Sequence, residues 1–190
     1  MSAPESDFTD AQIELAAEVI RRTYDPQTGR HPEAIFHAVN ATAIRTVVEL
    51  VIIDPVTDSI LLTRRTGDDP YYANTWHLPG VIGVRPDVDE GRYPNAYDAA
   101  AVRAIDELEG TRITPLVALS PDWLRQDPRT SRRGGEAVMF YGGYLLGEEP
   151  KVGQMFNVHA LPEPIHEHHP EVIVDAPLAI ALAMGSLQRI

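Results

Sequence analysis

The stretch Trp76-His77-Leu78-Pro79-Gly80, followed after a gap by Ala99-Ala100-Ala101-Val102-Arg103-Ala104-Ile105-Asp106-Glu107-Leu108-Glu109-Gly110, decides how the chain reads. Its second half belongs to a helix expected from about Ala96 to Glu109, with Tyr97, Ala101, Ile105 and Leu108 as the apolar stripe and Gly110 placed to end it. The region before that helix, Thr66 to Asn95, is rich in Gly, Pro, Asp and aromatic residues and is too long for a simple connection. Its length alone makes it a candidate functional loop.

Upstream, Arg45 to Ile53 is apolar and β-branched almost without interruption, which predicts a strand buried on both faces. Asp54 to Asp58 makes a turn, and Ser59 to Arg65 returns as the second strand of a hairpin. Further out, Asp10 to Tyr24 predicts an amphipathic helix with Thr9 or Asp10 as its cap, followed by a less regular stretch through His31, His37 and Asn40. Downstream, strands are expected at about Arg112 to Leu119 and Ala137 to Leu146, around a polar excursion from Ser120 to Glu136. A proline- and histidine-rich segment, Asn157 to Pro170, precedes a closing helix from about Ala176 to Arg189. This order predicts an α/β fold in which helices cover a mixed sheet.

Composition narrows the function. Lys and Arg number 16 against 28 Asp and Glu among 190 residues, a formal charge of −12, and 44% of the chain is hydrophobic. That supports a single packed domain, expected over 1–190 with an N-terminal helical extension at about 1–40. With no cysteine, thiolate chemistry and disulfide scaffolding are excluded, and only oxygen and imidazole ligands remain for a metal. The acidic balance argues against coating a nucleic acid duplex. The absence of an apolar run near 20 residues, with an acidic start at Met1 to Asp10, predicts a soluble, cytoplasmic protein rather than a membrane protein.

The Trp76 to Gly80 segment and the Arg103 to Gly110 run resemble the Nudix hydrolase family, whose box reads GX5EX7REUXEEXGU with U a bulky aliphatic residue. The hairpin ending in Leu61-Leu62-Thr63-Arg64-Arg65 and the late Leu161-Pro162 extend the likeness from about Arg45 to the C-terminus. The resemblance implies a Nudix-like α/β/α sandwich with a mixed β-sheet and Mg²⁺- or Mn²⁺-assisted hydrolysis of a nucleoside diphosphate derivative or a related phosphorylated small molecule. It also implies that a homodimer would be unsurprising.

Carried over residue by residue, the box retains Glu107 as metal ligand and catalytic carboxylate and Arg103 as the residue that orients it. The other two helix carboxylates fall on Ala104 and Leu108, the final aliphatic position is Thr111, and Asn95 stands where a glutamate usually partners the arginine. Carboxylates one turn apart on a helix make a hard oxygen site, which alanine and leucine cannot. Asp106 and Glu90, with Asp87 and Asp89 beside it in an insertion from Val84 to Pro94, are the substitutes. Substrate contacts are expected from Arg64, Arg65, Trp76, His77 and Gly80.

Each residue also has a plainer reading. Glu107 also reads as a solvated helix charge, Arg64 and Arg65 as the charges of a strand end, and Trp76 as half core and half pocket wall. His166, His168 and His169 lack zinc spacing and read as a polar loop at a pocket rim. Glu136, before a late strand, is a further candidate carboxylate, and Arg132 and Arg133 read as a loop tip. Two function classes follow: a divergent hydrolase using Glu107, or a Nudix-fold ligand-binding or regulatory module in which Ala104 and Leu108 record the loss of the metal cluster.

Overall fold

A computed structural model describes residues 9–25, 27, 31–40, 45–69, 71–83, 95–119, 125–126, 136–147 and 149–187. Helix α1 (Asp10–Thr23) is closed at its start by a capping box in which the Thr9 side chain accepts from the Gln12 N–H and the Gln12 side chain accepts from the Thr9 N–H. Helix α2 (Glu33–Asn40) follows where irregular chain was expected. The two long strands β1 (Arg45–Asp54) and β2 (Ser59–Arg64) form the expected hairpin. The Asp54 carboxylate closes its turn by accepting from the Val56 N–H at 2.9 Å and the Thr57 hydroxyl at 2.7 Å.

The short strands β3 (Trp76–His77) and β4 (Gly80–Ile82) come next, and then helix α3 (Ala96–Asp106). Beyond it lie β5 (Val117–Ala118), β6 (Arg125–Gln126), β7 (Glu136–Tyr144), β8 (Gln154–Asn157) and helix α4 (His169–Leu187). The eight strands form one mixed sheet whose path runs β3-β2-β1-β7-β5, with β4 on β1, β6 on β7 and β8 on β2. The parallel β1–β7 ladder, from Arg45 opposite Glu136 to Ile53 opposite Tyr144, is its spine.

Alternation along β1 divides two cores. Val47, Val51 and Ile53 point to one face, where they meet Ile60, Leu62 and, from α4, Ile173, Ala176 and Ile180. Val48, Leu50 and Ile52 point to the other, where Ala100, Ala101 and Ala104 of α3 and Leu108 just beyond its end cover them. The result is the expected α/β/α sandwich: both faces of β1 are dry, so its sequence carries no polar alternation.

Three boundaries differ from expectation. Helix α4 begins at His169 rather than near Ala176: Pro170 sits in its first turn, where a missing N–H costs nothing, and Pro177 lies inside the helix instead of marking its start. Only Val117–Ala118 of the expected Arg112 to Leu119 strand pairs regularly, with a single further bridge from Ile113 to Leu145. Strand β8, unforeseen, lines the hairpin's outer edge by pairing antiparallel with β2. Among the described residues, no helix is long and apolar enough to cross a membrane.

Candidate functional site

Helix α3 starts at Asn95, whose side chain accepts from the Asp98 N–H at 2.9 Å while its amide donates to the Asp98 carboxylate at 2.9 Å. The residue standing in place of the arginine-pairing glutamate is therefore a helix cap. Arg103 reaches back across the helix, and its Nη2 donates to the Ile82 carbonyl at 2.7 Å, fixing the end of β4 against α3. At the far end, Glu109 and Gly110 adopt left-handed φ of 51° and 80°, which stops the helix, and the Thr111 hydroxyl closes on the Leu108 carbonyl at 2.7 Å. Thr111 is buried, so the position usually aliphatic acts as a hydrogen-bonded plug.

Ala104 and Leu108, each 2% exposed, point into the core beneath α3. Asp106 and Glu107 lie outside that core and are exposed. Among the described residues, no three of His, Cys, Asp or Glu come together as a metal site. The residues of α3 thus do not fit the divalent cation that the box implies: two of its three carboxylate positions are apolar and inward-facing, and one solvated carboxylate is a weak hold on a hard cation. Glu90, with Asp87, Asp89, Arg132 and Arg133, lies outside the described residues. Glu136 opens β7, paired with Arg45 in the ladder.

The other expected residues gather across the sheet. Asp69 organises the turn after β2 by accepting from the N–H groups of Tyr71 at 2.9 Å and Tyr72 at 2.8 Å and from Arg65 Nη1 at 3.1 Å. Arg65 in turn lies 5.9 Å from the Tyr72 ring centre. Arg64 donates through Nε to the Asn74 carbonyl at 3.1 Å, lies 5.7 Å from the Trp76 ring centre, and makes no ion pair among the described residues. Trp76 packs into the α4-side core, edge-on to Phe156 at 4.7 Å. The core half of its expected double role fits that placement.

Main-chain bonds bring the histidine segment to this edge. The Trp76 N–H donates to the Pro164 carbonyl at 2.9 Å, and the His166 N–H donates to the Trp76 carbonyl at 2.8 Å. Between the 71–75 turn and the 164–167 segment lies a cleft of about 390 Å³, walled by Tyr71, Tyr72, Thr75, Ile165, His166 and Glu167 among others. That is the lower end of the size range for small-molecule sites.

Behind the cleft sits a pair that sequence reasoning missed. The Leu78 N–H donates to His169 Nδ1 at 3.0 Å, so the ring proton is on Nε2, which donates to Glu49 at 3.0 Å. Burial pushes the Glu49 carboxyl up, but the electrostatic influence of the His169 ring and its hydrogen bond, helped by His166 and His77, leave it below its ordinary value. The His166 ring stacks on His169 with centres 4.5 Å apart and leans on Tyr72 at 4.5 Å. Burial, then the neighbouring His169, pushes His166 down to about 3, and its buried Nδ1 has no hydrogen-bond partner among the described residues. Burial, then the charge of Arg65, pushes His77 down to about 4. Its Nδ1–H donates to the Leu78 carbonyl at 2.6 Å and its Nε2 faces the Thr63 hydroxyl at 3.2 Å, so both ring nitrogens are engaged within the protein.

Gly80 pairs with Glu49 on β1, and a Cβ there would lie 2.6 Å from the Val48 carbonyl oxygen; glycine is required by close approach of the chain to itself. The structure therefore joins Arg64, Arg65, Trp76, His77 and His166 into one neighbourhood. It leaves Arg103, Asp106 and Glu107 with α3 on the opposite face. The signal that could have found Glu49 is a lone charge in the middle of an otherwise apolar buried strand.

No protein-family model matches the chain, and no curated protein does. Among solved structures, a MutT NUDIX hydrolase from Burkholderia pseudomallei aligns with a TM-score of 0.50 at 20% identity, over 70% of this chain and 98% of that one. A MutT/nudix family protein from Enterococcus faecalis aligns with a TM-score of 0.51 at 17% identity, over 90% of this chain and 74% of that one. These likenesses bear out the Nudix-like α/β/α fold expected from the box.

Proposed function

We propose that this Nudix-fold chain is a module that binds a small phosphorylated molecule at the Arg64–Trp76–His166 edge and does not draw on α3 for a metal. The observation that carries this reading is the placement of Ala104 and Leu108 in the core, where the box would need carboxylates facing a cation. Arg64 supplies the phosphate contact, since a guanidinium that has no carboxylate partner among the described residues is suited to bidentate anion binding. Tyr72 and His166 offer ring faces to the remainder of the ligand, and His166, uncharged at neutral pH, offers hydrogen bonding without charge.

A second reading is a Nudix-type hydrolase that cleaves a diphosphate bond in a nucleoside diphosphate derivative. The exposure of Glu107 at the end of α3 favours it, together with the fold. In that reading Glu107, Asp106 and Glu90 would share Mg²⁺ or Mn²⁺, with Arg103 as the orienting residue.

One experiment separates the two. The protein is titrated calorimetrically with a panel of nucleoside diphosphates and nucleoside diphosphate sugars, in EDTA and in MgCl₂ or MnCl₂, and the same mixtures are followed by ³¹P NMR. Binding that is indifferent to EDTA, with no new phosphorus signal, is expected. Metal-dependent turnover that disappears in Glu107→Gln would overturn the first reading in favour of the second.

A further inference from the structure

Three rings run in contact from the cleft into the protein. Tyr72 and His166, which wall the cleft from its two sides, meet with centres 4.5 Å apart at 47°, and His166 stacks on the buried His169 at the same separation and 25°. Charges of opposite sign close the row: the Arg65 guanidinium lies 5.9 Å from the Tyr72 ring centre, and the Glu49 carboxylate lies 3.0 Å from His169 Nε2. The His168 ring stands farther off, 5.7 Å from His166.

The ring behind the wall is anchored and the ring in the wall is not. His169 has both nitrogens bonded, Nδ1 to the Leu78 N–H and Nε2 to Glu49. A half-turn about its Cβ–Cγ bond would exchange each nitrogen for a carbon and lose both bonds at once. His166 has no such hold on Nδ1, which is buried without a hydrogen-bond partner among the described residues. Its angle in the wall follows instead from ring contact with His169 and Tyr72, and from the turn in which the His169 N–H donates to the His166 carbonyl at 3.0 Å.

Glu49 lies at the far end of this chain of contacts, between Val47 and Val51 on the face of β1 that packs against α4. A buried ionic pair contributes little net stability compared with apolar side chains of the same shape, but its hydrogen bonds have direction and apolar contact does not. We infer that Glu49 is a positioning residue for the cleft: acting through His169, it fixes the angle at which His166 forms the wall, and thereby the affinity of the cleft for its ligand. The step from wall to affinity rests on the ligand-binding reading proposed above, whereas the step from Glu49 to the His166 ring stands without it.

The test reads both steps. Histidine ring signals are recorded in long-range ¹H–¹⁵N spectra at neutral pH, and ADP binding is measured by calorimetry, for the unaltered protein, Glu49→Gln, and the two apolar variants Glu49→Leu and Glu49→Met, of which one folded chain suffices. Leu108→Ala, which opens a cavity in the opposite core, is the destabilised comparison. In the apolar variants the His166 ring protons are expected to lose the displacement that the neighbouring rings impose, and ADP affinity to fall roughly tenfold. Glu49→Gln, whose carboxamide oxygen still accepts from Nε2, is expected to restore both, and Leu108→Ala to move neither. Unmoved His166 signals in the apolar variants, a displacement that Glu49→Gln does not restore, or the same displacement in Leu108→Ala would each overturn the inference. Signals that move and recover while ADP binds all variants equally would overturn the step to affinity. Failure of the unaltered protein to bind ADP would count against the ligand-binding reading, and the ring signals would then decide the role of Glu49 alone.

Discussion

The His169 imidazole donates from Nε2 to the Glu49 carboxylate across 3.0 Å, tying the first turn of α4 to the middle of β1. His169 also accepts the Leu78 N–H through its other nitrogen, so one ring fixes three segments that are far apart in sequence. A charge on a strand that is otherwise all core is tolerated only because this ring meets it.

Removing the ring should cost more than neutralising the acid. His169→Ala leaves the Glu49 carboxylate and the Leu78 N–H without these partners, and the expected loss is about 3 kcal/mol, the low end for stripping a buried carboxylate of its partner because the carboxylate is still 16% exposed. Glu49→Gln keeps an oxygen to accept from Nε2 and should cost less, about 1 kcal/mol. Urea unfolding of both variants checks this; an equal or reversed order would mean that the pair does not hold the segments together.

Stability should fall with acidification well before the carboxylates titrate. Burial holds His77 and His166 near 4 and 3 in the folded chain, against an ordinary value of 6.5. Between those limits the unfolded chain binds protons that the folded chain refuses, so unfolding free energy rises with pH across that window and the loss begins as pH drops below about 6.5. Glu49, held below its ordinary value, adds a loss of the same sign further down. Urea midpoints measured from pH 7.5 to pH 4 should slope downward, and a His77→Asn, His166→Asn double variant should flatten the upper part of the slope. A flat profile in the unaltered protein would contradict the burial of these rings.

Restoring the missing carboxylates should damage the protein rather than repair it. Ala104 and Leu108 face a packed core, so Ala104→Glu or Leu108→Glu would bury an unpaired acid, at a cost on the order of 3 kcal/mol or more. Thermal melting with and without MgCl₂ is the measurement. A stable double variant whose melting temperature rises with Mg²⁺ would show that α3 presents these positions to a cation.

Affinity for a phosphorylated ligand should depend on Arg64 and not on Glu107. Arg64→Ala is expected to weaken binding roughly tenfold, equivalent to about 1.4 kcal/mol, while Glu107→Gln leaves it unchanged. Titration calorimetry with the tightest ligand of the panel decides it, and equal effects from the two variants would move the site to the α3 face.

The layers were legible because their signal is redundant. Val47 to Ile53 is apolar apart from Glu49, and the α3 segment combines an apolar stripe with a terminating Gly110. The short strand β8 was not legible, since Gln154–Asn157 has too few residues for a period and takes its form from the hairpin edge it pairs with. The early start of α4 was hidden by Pro170 and Pro177, which locally oppose helix yet are tolerated in this context. The candidate residues Arg64, Arg65 and Trp76 were foreseen as a group, but the cleft beside them was not, because the Trp76–Ile165 bridge that forms it joins segments 89 residues apart (165 − 76). His166, expected at a rim, does line that cleft.

The β1–β7 ladder also sets a schedule for the growing chain. Arg45 pairs with Glu136, a partner 91 residues later (136 − 45), and the helix that seals the far face comes later still. During synthesis β1 therefore emerges long before its principal neighbour, with an apolar edge open to any other strand it meets. In that interval β2 and β4 can take its other edge and α3 can cover one face, while the edge that β7 later fills stays open. Such non-local pairing slows folding, and it places a risk of aggregation on the nascent Val47 to Ile53 segment.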